Sequence, residues 1–310
     1  LLPALGADEE EAEMIPRSLL FAPADSDRKM EKALGSGADL VILDLEDSVA
    51  PDRKPLARDA ARAFLEGHLD RSKQELWVRI NALASPQALD DLALVLPGAP
   101  DGIMLPKPDS GVDVTTLDHY LTALETAFGL PPGRVKIIPV ATETAKAMFA
   151  LGTYAGASPR MTLMTWGAED IAAVVGASAN RDAEGRYDPL YELARTLCLA
   201  GAAAADAAAI DTVYTNFRNP AGLEEECLRV RRAGYQGKIA IHPDQIEVIN
   251  RAFTPTPAEV AFAARVIDAF DSNPGLGTVG IDGKMVDMPH LKLARKVMAE
   301  AVRLGVPTTA

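Results

Sequence analysis

A (β/α)8 TIM barrel with a C-terminal helical and hairpin extension is the fold class this sequence predicts, on three observations. Eight short apolar runs follow one another, most of them separated by stretches of helical composition. They fill the span from about Arg17 to Ala252, a length usual for that fold. No glycine-rich phosphate loop follows the first run, which disfavours the doubly wound open sheet. The expected organisation is a flexible acidic leader over residues 1–16, the barrel over 17–252, and an extension over 253–310 carrying a flap and a helix.

Taken in order, residues 17–23 read as a short strand closed by Pro23, with Asp25 or Ser26 capping a helix that carries Arg28 and Lys32. Their i, i+4 spacing puts both cations on one face, either to meet an anionic ligand or simply as a solvated surface. The second strand, 40–45, holds Asp44 among apolar neighbours and runs into Glu46 and Asp47. An acid in an apolar strand needs a partner, so Asp44 is expected to face a polar barrel top, while Glu46 and Asp47 suit either that site or a helix cap.

Arg79, in the third strand (75–81), needs an anion, which a ligand oxygen or Asp44 would supply. The fourth strand, 102–105, stops at Pro106-Lys107-Pro108, where Lys107 reads as a rigid turn or, less readily, a Schiff-base nucleophile. A helix over 114–128 follows.

The fifth and sixth runs each deliver acid at the tip: 137–141 leads to Glu143, and 161–166 stops at Gly167 before Glu169 and Asp170. In a closed parallel sheet the strand C-termini share one mouth, so Glu143 and Asp170 are placed to hold one divalent cation there. Oxygen ligands favour Mg2+, which keeps several waters and leaves room for a substrate. Trp166 is expected to wall that mouth, and residues 144–151 to form the connecting helix. A helix over 189–207 leads to strand 209–214, and the eighth strand, 238–241, ends at His242-Pro243.

Beyond the barrel, a helix over 257–270 precedes a hairpin signalled by Asp282-Gly283 and ending in Asp287, which suggests a flap; a last helix covers 290–304.

The charge of −13, with 44 acids against 31 Lys and Arg and no basic tract, argues against a nucleic-acid partner. An anionic small molecule would instead meet local cations: Arg28, Lys29 and Lys32, or the isolated Arg17 and Arg79. No run approaches a membrane span, and Cys198 and Cys227 lack metal spacing, so no membrane association and a reducing cytoplasm are expected.

Eight stretches together carry a resemblance: residues 17–21, 43–49, 79–81, 106–107, 143–145, 167–170, 241–243 and 285–289. In this order they resemble the citrate lyase β-subunit-like group of the HpcH/HpaI aldolase superfamily, which includes malyl-CoA and citramalyl-CoA lyases. The resemblance implies a Mg2+-dependent barrel that makes or breaks a carbon–carbon bond in a 3-hydroxyacyl-CoA, with an acyl-CoA thioester and a small keto acid as partners. It implies Glu143 and Asp170 as metal ligands, Glu143 also facing substrate, and Arg79 as substrate-binding and catalytic. It further implies Phe21, Arg28 and Lys32 at the CoA entrance, Asp287 as the catalytic flap acid, and Asp44, Glu46 and Asp47 behind the metal.

A homotrimer or homohexamer is implied as well. Rival readings of the same chain are a malyl-CoA-type thioesterase, a metal-dependent hydroxy-keto-acid aldolase, and a subunit of a citrate-lyase-like complex. The group's usual Val-Pro-Gly after the first strand is here Ala22-Pro23-Ala24, which removes a glycine free to take positive φ and leaves the acyl carrier open.

Overall fold

The computed structural model describes residues 15–308, so the expected leader lies outside them except for Ile15 and Pro16. The first compact unit ends at Ala252. Its strands and helices alternate: β1 (Ser18–Pro23), α1 (Asp27–Leu34), β2 (Leu40–Asp44), α2 (Lys54–Gly67), β3 (Glu75–Arg79), α3 (Ala88–Val95), β4 (Gly102–Leu105) and α4 (Gly111–Phe128). Then follow β5 (Lys136–Pro139), β6 (Leu163–Thr165), α5 (Glu169–Val175), α6 (Pro189–Ala204), β7 (Ala208–Asp211), α7 (Pro220–Ala233), β8 (Gly237–Ala240) and α8 (Ile246–Phe253).

The hydrogen-bonded order β5-β4-β3-β2-β1-β8-β7-β6 is parallel throughout. The seam between β5 and β6 is joined by Ile137 N–H donating to the Arg160 carbonyl (2.9 Å) and Ala141 N–H to the Thr165 carbonyl (2.8 Å). The sheet is therefore the expected eight-stranded barrel.

Alternation decides what fills it. Leu19, Leu40, Ile42, Trp77, Met104, Ile138, Leu163, Ile210 and Ile239 form the buried interior, and Trp77 is the largest of them. Its ring lies against Gly102, where a Cβ would sit 2.5 Å from the indole carbons, so glycine there is a packing requirement. The residues following these in alternation on β2 and β3, Asp44 and Arg79, bring charge to the C-terminal end.

Three expectations needed correction. In place of the helix expected over 144–151 stand two short 3-10 turns, Ala147–Phe149 and Leu151–Tyr154. The Thr144 hydroxyl donates to Asp109 Oδ1 (2.7 Å) and accepts from Ala147 N–H (3.1 Å), and such side-chain bonds compete with helical ones. Helix α5 was not anticipated; seven residues before Gly176, a C-cap in the left-handed region, are too few to show a period. Several strands stop short of the apolar run, so that Asn81 and Thr212 lie in the connections beyond them.

The second unit, Phe253–Ala310, contains α9 (Pro257–Asp271), the antiparallel pair β9 (Thr278–Ile281) and β10 (Lys284–Asp287), and α10 (Met288–Arg303). Asp282 (φ 51°) and Gly283 (φ 75°) make the two-residue turn, both in the left-handed region a type I′ hairpin demands. Val266, Phe270, Val279, Ile281, Val286 and Leu291 bury the hairpin against the two helices.

Gly102→Ala should destabilise the protein by about 1–3 kcal/mol in equilibrium urea unfolding, through overpacking against Trp77. Gly67→Ala, at the end of α2 with open space around it, should leave the midpoint within about 0.5 kcal/mol or raise it.

Candidate active site

Asp44 and Arg79 are register partners on adjacent strands, and their side chains meet inside the barrel top. Arg79 Nε donates to Asp44 Oδ1 (2.7 Å) and its NH2 to Oδ2 (2.6 Å), a fork-on-fork pair that also fixes the plane of the guanidinium. Its remaining nitrogen lies 3.1 Å from Glu46 Oε2, and the Phe21 ring packs beneath it at 4.4 Å. The anion that Arg79 needed is thus Asp44. Asp44 also accepts from the Glu46 and Ser48 amides (2.9 and 3.1 Å), shaping the loop that carries the next acids. Burial works against its charge, but Arg79 and these donors outweigh burial and hold its carboxyl below the usual range.

The other acids approach from β5 and β6. Glu143 is 4% exposed, and its Oε2 accepts from the Lys107 backbone N–H (2.7 Å). Its side chain lies over Gly167, where a Cβ would come 2.8 Å from Glu143 Cγ and 3.1 Å from Oε1. Thr142 ties the two strand tips, its hydroxyl donating to the Gly167 carbonyl (3.2 Å) and accepting from the Gly167 amide (3.1 Å). Asp170, in the first turn of α5, faces the same space: burial first, and the Asp170 charge second, raise the Glu143 carboxyl well above its ordinary value.

Lys107 Nζ sits among the remaining carboxylates. It is in contact with Glu46 Oε1, 3.1 Å from Asp47 Oδ2 and 3.2 Å from Asp170 Oδ1.

This donor set fits a hard cation. Among the described residues no three His, Cys, Asp or Glu side chains gather closely enough to hold a metal by themselves. Mg2+ does not require three, since one or two carboxylates with water and substrate oxygens suffice. A carboxyl raised by burial first and by a second carboxylate next, under a glycine that leaves room for its oxygen, belongs to a pair that a dication would stabilise. Glu46 Oε2 is buried without a hydrogen bond and has the Arg79 guanidinium as its ionic partner at 3.1 Å.

The supports lie behind these residues, and sequence reasoning missed most of them. The buried Lys54 ammonium donates to the Leu45 and Glu46 carbonyls (2.8 and 2.9 Å) and to Asn81 Oδ1 (2.7 Å). Asn81 is held in turn by Asp91 (2.7 Å), and Asp91 by Arg58 (2.6 Å). Asn81 was visible in the Arg79-Ile80-Asn81 run; Lys54 gave no signal.

Behind β6 to β8, Asp211 accepts from the Trp166 indole N–H (2.8 Å), Arg195 (3.2 Å) and the fully buried Lys238 (2.5 Å). Lys238 also donates to Glu226 (2.9 Å). Trp166 therefore faces the helix layer, fully buried, and does not wall the mouth as expected; one step of alternation after inward-facing Thr165 turns it outward.

Arg17 and the cations of α1 are not gathered here. Arg17 is forked onto Asp39 at the start of β1 (2.8 and 2.7 Å). Arg28 and Lys32 lie on the exposed face of α1, whose Met30 and Ala33 are buried. Asp287 belongs to the second unit, where it caps α10; His290 beside it holds its carboxyl below the usual range.

Residues 17–243 match the family HpcH/HpaI aldolase/citrate lyase. The citrate lyase subunit beta of Escherichia coli K12 is 35% identical over 292 residues, 94% of each chain. A (3S)-malyl-CoA thioesterase of Cereibacter sphaeroides is 34% identical over 290 residues, covering 92% of this chain and 94% of its own. Protein CitE from Mycobacterium tuberculosis, solved in complex with magnesium, acetoacetate and coenzyme A, has a TM-score of 0.75 at 34% identity, covering 92% of this chain and 98% of its own.

Two outcomes follow from the buried charges. Asp44→Asn should lose about 3 kcal/mol or more in urea unfolding, because it strands Arg79 in the barrel top. Glu226, buried but paired with Lys238, Arg181 and Arg195, is lowered from 4.5 to about 2. A depressed carboxyl stabilises the fold above its unfolded value and loses that contribution as pH falls from about 4.5 towards 2. Glu226→Gln should therefore flatten the fall of thermal stability over that window.

Proposed function

The chain belongs to the HpcH/HpaI aldolase/citrate lyase family, and we propose that it is a Mg2+-dependent CoA-ester lyase. On this reading it makes or cleaves a carbon–carbon bond in a 3-hydroxyacyl-CoA such as malyl-CoA or citramalyl-CoA. The observation that carries the proposal is the convergence of Glu143 and Asp170 from neighbouring strand tips, with Arg79 locked in the barrel top beside them. A relative solved with magnesium, a small keto acid and coenzyme A supports the ligand classes.

Glu143 and Asp170 would hold Mg2+, which supplies Lewis-acid polarisation of a bound α-keto acid. Arg79, immobilised by Asp44 and Phe21, presents fixed positive charge to the enolate side of the reaction and need not reorganise as charge develops. Glu46 and Asp47 orient water at the cluster's edge. Phe21 supports Arg79 from the barrel top, while the exposed Arg28 and Lys32 offer charge to the CoA phosphates. Asp287 exchanges the proton at the thioester α-carbon, acting within its own chain or on a neighbour's. A homotrimer or homohexamer in the cytoplasm completes the proposal.

A thioesterase outcome is the second reading, favoured by the Cereibacter relative's name and needing the same metal acids. Incubating purified protein and Mg2+ with a panel of 3-hydroxyacyl-CoA thioesters separates the two by mass. Glyoxylate or pyruvate with a shortened acyl-CoA is expected, whereas free CoA with an intact hydroxy acid would assign hydrolysis. An aldolase acting on free hydroxy-keto acids would leave all the thioesters uncleaved. EDTA should abolish turnover, excess Mg2+ restore it, and Glu143→Gln lower kcat/KM by about a thousandfold or more. Full turnover by Glu143→Gln would sink the metal assignment.

A further inference from the structure

We propose that Lys107 is a built-in counter-cation of the acid cluster, and that its ammonium must leave Asp170 before a divalent metal can bind there. On this view the side chain holds the metal-free site together and weakens metal binding. The inference rests on the reading that Glu143 and Asp170 are the metal's ligands.

Three features place this role on Lys107. Its Nζ joins carboxylates from separate elements: Glu46 and Asp47 from the loop after β2, and Asp170 from the start of α5. Its backbone N–H meanwhile holds Glu143 Oε2, so one residue contacts both proposed metal acids, one through its amide and the other through its amine. Finally, Lys107 has φ 51° and precedes Pro108, although a non-glycine residue is disfavoured there and a residue before proline is pushed towards extended geometry. Holding such a conformation stores backbone strain. Glycine would take this backbone without strain, so what lysine adds at this position is its side chain.

The chemistry sets the direction of the effect. A dication shared by Glu143 and Asp170 would lie beside an ammonium that is now 3.2 Å from Asp170 Oδ1, and like charges at that range repel strongly at a partly buried site. Lysine has a flexible stem and two other acceptors, so it can move away from Asp170 while keeping Glu46 and Asp47. Burial opposes its charge, but Glu46 and the other acids outweigh burial and raise the amine above its ordinary value.

The test measures binding of Mn2+, as a paramagnetic substitute for Mg2+, to metal-stripped protein without substrate. Lys107→Met should bind Mn2+ at least about tenfold tighter than wild type, with one repulsive charge removed. In EDTA it should melt below wild type, and Mn2+ should raise its melting temperature by a larger increment. Lys107→Gly keeps the Glu143 amide contact and relieves the backbone, so it should show the same tightening without depending on how Lys107→Met folds. Unchanged or weaker Mn2+ binding by a folded Lys107 variant, with wild type binding normally, overturns the counter-cation role alone. If wild type binds no Mn2+, or Glu143→Ala binds it as well as wild type, the metal reading falls and this inference with it.

Discussion

Crowded negative charge at the C-terminal ends of the strands is the constraint on which the rest of this site depends. Asp44, Glu46, Asp47, Glu143 and Asp170 all reach the mouth, and Arg79 and Lys107 are the cations in direct contact with them. Each acid is tolerated by a different device. Asp44 is neutralised by a bidentate guanidinium, and Glu46 is shared between Arg79 and Lys107. Asp47 reaches solvent, being 60% exposed. Glu143 accepts from the Lys107 amide, but burial and the nearby Asp170 charge outweigh that bond and the Lys107 charge and raise its carboxyl well above the ordinary value. That remaining imbalance is what a divalent cation would relieve.

A second buried ionic cluster shows that perturbed charge alone does not mark a reactive site. Lys238, Asp211, Glu226 and Arg195 are all more than nine-tenths buried, and the contacts among them use carboxylate oxygens on both acids. The cluster lies on the outer face of β7 and β8, where Trp166 joins it through Asp211. It fixes the direction in which the chain leaves β6, one residue before Gly167 and four before Asp170. The mouth differs in kind: Asp170, Lys107 and Asp47 keep 29–60% of their side-chain surface accessible, so ligand oxygens can reach them. The closed cluster holds the frame, and the open one offers chemistry.

The barrel was legible because its evidence is repeated: eight apolar runs, most of them followed by a stretch of helical composition, leave few arrangements that bury them all. The acids at two strand tips were legible for a related reason, since a charged residue directly after an apolar run has to lie beyond the strand's end. What stayed hidden depends on register and on turns. The Asp44–Arg79 pair was one of two partners left open for Arg79, because only the sheet register makes the two residues neighbours. Trp166 was misplaced by a single step of alternation, after a strand of only three residues. Lys107 looked like a rigid turn between prolines, and nothing local reveals that its left-handed backbone aims the amide at Glu143 and the amine at Asp170. Lys54 left no trace, because a lysine beginning a helix ordinarily faces water.

On the proposed reading, the metal acids and Arg79 serve lyase and thioesterase alike, since both need a polarised substrate and an anchored anion. What separates the two outcomes is the fate of one proton. Carbon–carbon bond formation removes a proton from the thioester α-carbon, whereas hydrolysis delivers water to the carbonyl instead. Asp287 is the residue assigned to that proton, and it is paired with His290 in the cap of α10. A carboxylate held by a neighbouring histidine is a weaker base than a free one, and His290 holds the Asp287 carboxyl below its usual range. On the proposed reading, how firmly His290 holds Asp287 would therefore set the strength of the base available for that proton, and with it the balance between the two outcomes.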